Sequence, residues 1–161
     1  MLDELNRVPW SSIPQPEWNG PTDVPDSILH LAAATTADEA LNAYHSFLFA
    51  VGNNHGGSYY PVVLPTIPLL LDILRSRGAP AQIGVLNALI DLVGSFGPDP
   101  EAPATVIVAG TAVDLESALR TAVAAYKHEF PSLLRSPDPE VSRLARDLIA
   151  LFPESREGRS P

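Results

Sequence analysis

The sequence predicts an all-α fold: a short α-solenoid of stacked antiparallel helix pairs, fronted by a Pro/Trp-rich N-terminal arm. Three observations carry this expectation. First, the stretch from Tyr59 to Leu74 is strongly apolar yet contains Pro61, Pro65 and Pro68. Proline removes a ladder donor and is confined mostly to strand edges. A membrane span needs roughly 20 apolar residues, and this stretch meets Asp72, Arg75 and Arg77. A buried helix with prolines in its first turns is what remains. Second, apolar residues elsewhere recur at helical spacing. Third, an apolar helix, a tight polar turn and a proline-started amphipathic helix occur twice, once from Pro68 and once from Pro131. Such a pair cannot bury both faces alone and must stack on another.

The elements follow in order. Residues 1–24 hold Pro9-Trp10, Pro14, Pro16-Glu17-Trp18 and Pro21, which reads as an extended, irregular arm. Trp10 and Trp18 are expected to pin it over an open end of the body. Asp23-Val24-Pro25-Asp26 opens a helix. Thr36-Ala37-Asp38-Glu39 is a capping box, and the helix it starts carries Ala40, Leu41, Tyr44, Phe47, Leu48 and Val51 on one face. Asn53-Asn54-His55-Gly56-Gly57 ends that helix. The proline-studded helix then runs to about Arg77, and Pro80 stands in the first turn of the next, striped by Ile83, Leu86, Leu89, Ile90 and Val93. Residues 98–110 read as a long loop; the apolar run at Thr105-Val106-Ile107-Val108-Ala109 has no evident strand partner. Asp114 caps a helix bearing Leu115, Leu119, Val123 and Tyr126. After Phe130-Pro131, Asp138-Pro139 starts the last helix, with Val141, Leu144, Ala145, Leu148 and Phe152.

At 161 residues, 45% hydrophobic, the chain is long enough to bury one core. It has no cysteine, which excludes disulfides and thiolate chemistry and suits a reducing cytosol. The acidic start lacks an apolar leader segment, so a cytoplasmic location and no membrane association are expected. The net charge is −9, opposite to what nucleic-acid binding uses. Its distribution is uneven: residues 1–39 hold seven acids against Arg7 alone, an acidic patch suited to steering a basic protein partner.

Pro131-Ser132-Leu133-Leu134-Arg135-Ser136-Pro137-Asp138-Pro139-Glu140-Val141-Ser142-Arg143-Leu144-Ala145 resembles a HEAT repeat, with Arg143 one place later than in the family's run. Asp23-Val24-Pro25, the turn from Gly52 through His55 to Pro61, and Pro68-Leu69-Leu70 together resemble a group of bacterial HEAT-repeat proteins. The likeness covers roughly residues 20–153. The expected division is an arm over 1–24, one HEAT-like helical domain over 25–153 and a flexible tail over 154–161. Bacterial HEAT-like proteins of this size and acidity are similar to cytosolic immunity or antitoxin proteins, which occlude a toxin's active site.

Catalytic signatures are sparse. His30, His45, His55 and His128 form no metal-ligand spacing, and no nucleophile elbow, phosphate loop or dinucleotide fingerprint occurs. A DNA-repair glycosylase built from similar helices would need a basic groove. No enzyme activity, metal or cofactor is expected. The expected function is a non-catalytic protein-binding module, an immunity or antitoxin protein for a basic toxin, with Glu17, Trp18, Asp23, Asp26, His55, Tyr59 and Tyr60 as partner contacts. The alternative is a scaffold that takes a peptide or enzyme subunit in a concave groove through Tyr59 and Tyr60; a third reading places chemistry at His55.

Overall fold

Amphipathic stripes and proline starts place most of the helices. The computed structural model describes residues 1–154. Helices α1 (Leu2–Arg7), α2 (Asp23–Ala33) and α3 (Ala37–Val51) are followed by strands β1 (Gly52–Asn53) and β2 (Ser58–Tyr59). A six-residue 3-10 helix, Pro61–Thr66, leads into α4 (Ile67–Ser76), and α5 (Ala79–Gly94) follows after a short turn. Strands β3 (Gly97–Pro98), β4 (Thr105–Val108) and β5 (Thr111–Asp114) then precede α6 (Leu115–Ala124), α7 (Phe130–Leu133) and α8 (Pro139–Ala150).

The chain is thus a mostly helical α+β domain with two small sheets, and the all-α HEAT-like solenoid is overturned, together with the family resemblance built on it. In one sheet β1 pairs antiparallel with β2, and β2 pairs parallel with β3, Ser58 opposite Gly97. In the other β4 and β5 form a hairpin, Val106 opposite Val113. The run at Thr105–Val108 does have a partner: the next four residues after the Ala109-Gly110 turn. Both turn residues take positive φ (49° and 81°), the conformation a two-residue hairpin turn requires.

Helix packing departs from a solenoid as well. In a stacked array each unit touches only its neighbours, whereas α5 packs against α2, α3, α4, α6 and α8. It is a hub, buried along Ala81, Val85, Leu86, Ala88, Leu89 and Leu92; the expected stripe is offset, since Ile83, Ile90 and Val93 are only partly buried. The expected repeat also fails in length, because α7 has four residues where α4 has ten.

The caps fall close to expectation. Asp114 accepts from Ser117 N at 2.9 Å and Asp138 from Glu140 N and Val141 N. Thr36 accepts from Glu39 N, but the Glu39 carboxylate reaches the amide and hydroxyl of Thr35, one residue beyond the usual box partner. The arm is more ordered than expected. It opens with α1, and Leu5 and Trp10 join the same hydrophobic core as Val62 and Leu89. Trp10 Nε1 donates to Leu5 O, and Val62 N donates to Pro14 O. Among the described residues no helix is long and apolar enough to cross a membrane. The flexible tail expected over 154–161 lies, Glu154 apart, outside the described residues.

Candidate functional site

Helices α2 and α3 lie side by side with polar edges facing each other. On α2 this edge is Asp23, Asp26, Ser27 and His30; on α3 it is Asn42, Ser46 and Phe49, each set at the three- to four-residue spacing of one helix face. A hollow formed by the arm adjoins two that lie along it. The first, about 560 Å³, is cupped by the arm from Ser11 to Pro21 and meets the second at Asn19. The second, about 410 Å³, lies under Trp18 and Phe49 and meets the third, about 370 Å³, at His30 and Ser46. Glu17, Asp23, Asp26 and Glu39 line this groove, and no lysine or arginine does.

The arm fixes the middle of the groove. Trp18 stacks on Phe49, ring centroids 5.2 Å apart and planes 21° apart. Its Nε1 donates to Phe49 O at 3.4 Å, and Asn19 Nδ2 donates to Ala50 O at 2.6 Å. These bonds occupy carbonyls at the C-terminal end of α3, which otherwise lack partners. Gly20 N donates to Asp23 Oδ2 at 2.7 Å, which holds that carboxylate at the groove edge. The two rings remain 46% and 48% exposed.

Four of the seven expected contact residues, Glu17, Trp18, Asp23 and Asp26, come together here. The other three do not. His55 stands exposed in the β1–β2 turn, where Asn53 Oδ1 accepts from the amides of His55 and Gly56. Tyr59 and Tyr60 are 1% and 8% exposed and belong to the core, so they offer a partner almost no surface. Burial, with the carboxylates of Glu116 and Asp114 nearby, pushes the Tyr59 hydroxyl up to about 12. Burial and then Asp99 and Glu101 raise Tyr60. Both therefore stay neutral at physiological pH.

Phe49 and His30 were missed by sequence reasoning. The signal for Phe49 was available: a large aromatic sits on the polar side of an amphipathic helix, in line with Asn42 and Ser46. His30 is three and four residues beyond Ser27 and Asp26, on the same edge.

The groove presents carboxylates, an imidazole, hydroxyl and amide groups and two aromatic rings to a ligand. Among the described residues no three His, Cys, Asp or Glu side chains cluster so as to hold a metal ion. Elsewhere, Ser58 Oγ donates to Asp99 Oδ2 at 2.5 Å and Asp99 also accepts from Glu101 N, which clamps the 98–104 segment to the first sheet. No family model matches the chain, and no curated protein and no solved structure matches it.

Proposed function

We propose that the chain is a non-catalytic protein-binding module that neutralises a basic protein partner, such as a toxin domain, by covering its working surface. One observation carries this reading: three adjoining hollows are lined by four carboxylates and no side-chain lysine or arginine, and they carry two half-exposed aromatic rings. The HEAT likeness no longer supports the immunity-type role; charge and groove do. Carboxylates around an aromatic centre match the anatomy of an interface in which aromatics anchor and charges steer. With residues 1–39 holding seven acids against Arg7, the field at this face is negative, and encounter with a basic surface is accelerated at low salt.

The test is co-expression with the product of the neighbouring reading frame, followed by association kinetics. A complex is expected whose association rate falls as ionic strength rises and falls again in the Asp23→Lys/Asp26→Lys double variant. A complex formed equally fast with and without that double change would overturn the acidic-face reading.

A further inference from the structure

We propose that the hollow beneath the Trp18–Phe49 pair is a receptor for an arginine side chain of the partner. The inference rests on the protein-binding reading and adds the chemistry that the site selects. The hollow has nine lining residues: two aromatic rings, the carboxylates of Asp23 and Asp26, the polar side chains of Asn19, Ser27, His30 and Ser46, and Ala50. None is a lysine or arginine. An anion would meet two carboxylates without a fixed counter-charge. A neutral apolar group would leave those carboxylates desolvated and unpaired.

A cation fits, and the aromatics decide which one. Ring faces carry negative quadrupole potential and attract a cation held over them. Guanidinium is planar, stacks on such faces, sheds water more readily than ammonium and presents a fork that matches a carboxylate. A metal ion is disfavoured, because Asp23, Asp26 and His30 do not converge as a ligand set and the rings ligate nothing.

The walls are set before a ligand arrives. Trp18 is held at its indole nitrogen, Asn19 at its amide nitrogen and Asp23 at Oδ2, so little ordering remains to be done on binding. At about 410 Å³ the hollow exceeds a guanidinium alone, leaving room for the methylene stem and its flanking backbone to lie along α2 toward His30.

The probes are N-acetyl-arginine amide, its lysine counterpart and its citrulline counterpart, which keeps the planar head without the charge. Binding to the full chain is followed by the indole N–H resonance of Trp18, assigned with a Trp18→Leu variant. Saturable shifts with arginine amide are expected, with lysine amide weaker by about three- to tenfold and citrulline amide showing none. Phe49→Leu, which keeps an apolar side chain in place and leaves one ring of two, should reduce the arginine preference, and Asp23→Asn should weaken both cations. Retained fold is checked by circular dichroism. Equal affinity for arginine and lysine, or an arginine preference left undiminished by Phe49→Leu, would overturn the proposal. The two readings fail separately. A captured protein partner indifferent to Trp18→Leu defeats the arginine site alone. Selective arginine binding without any protein complex defeats the neutralisation reading alone.

Discussion

Gly52 shows how tightly single positions constrain this chain. A Cβ there would stand 2.0 Å from Ser58 O and 2.7 Å from Tyr59 Cα, both backbone atoms of the paired strand. Its φ of −179° is ordinary extended backbone, so the constraint is close approach and not conformation. Gly52→Ala is expected to cost about 1–3 kcal/mol or more by overpacking, read from urea denaturation. Gly97→Ala, where nothing lies within 4 Å, is the control and should be near neutral. Asp99 makes a second residue-scale prediction. Burial raises its carboxyl, but hydrogen bonds from the Ser58 hydroxyl, the Glu101 amide and the Tyr60 hydroxyl outweigh it, leaving the group below its ordinary value. A depressed folded value means that Asp99 stabilises the fold above its unfolded value, about 3.9, and that this contribution fades as pH falls through the folded value. Asp99→Asn should therefore lower stability at neutral pH and flatten the loss seen on acidification, measured as denaturation midpoints across pH.

At the scale of elements, the β4–β5 hairpin is the most exposed construction. Ile107 is 71% exposed, and the ribbon lies against α6, with Val106 packed on the core and Val113 half-buried opposite it. A two-stranded ribbon is marginal alone, so its stability depends on the Ala109-Gly110 turn. Gly110→Val should force a β-branched residue into positive φ. Amide exchange in 105–114 is expected to quicken while amides of α5 keep their protection; equal change in both would show that the hairpin opens only with the core. The helices were legible in the sequence because 3.6-residue periodicity, Asp114, Asp138 and the prolines at helix starts are local signals. The strands were not, for local reasons too. Strands β1, β2 and β3 have two residues each, too short for alternation to register, and Ala109-Gly110 lacks the Asn-Gly composition that usually marks a hairpin. In the candidate site the acidic half was legible from charge counting alone. Tyr59 and Tyr60 were misplaced because a polar turn precedes them, while their neighbours, Glu116 and Leu119 for Tyr59 and Glu17 and Asp99 for Tyr60, are distant in sequence.

Across the whole molecule, the N-terminal segment is both the acidic face and part of the core. Leu5 and Trp10 sit in the cluster that continues to Leu148, so the surface that would meet a partner is anchored by buried side chains. Trp10→Ala is expected to destabilise by about 3–5 kcal/mol. Trp18→Ala should cost much less, since nearly half of that side chain is already in water. Thermal melts of the two variants check the contrast, and comparable losses would mean that Trp18 holds the arm as firmly as Trp10.

The first sheet carries a consequence for the order of events in folding. Its parallel pairing sets Ser58 opposite Gly97, and the chain between them contains α4 and α5. Closing so long a loop is entropically expensive until those helices have docked and shortened it. The β2–β3 pairing and its Ser58–Asp99 clamp are therefore expected to form late, after the barrier. In stopped-flow chevrons, Asp99→Asn should accelerate unfolding and leave the refolding limb almost unmoved. A contact that forms after the barrier acts on how long the native state lasts, so strengthening this two-residue pairing is expected to lengthen that lifetime without speeding folding.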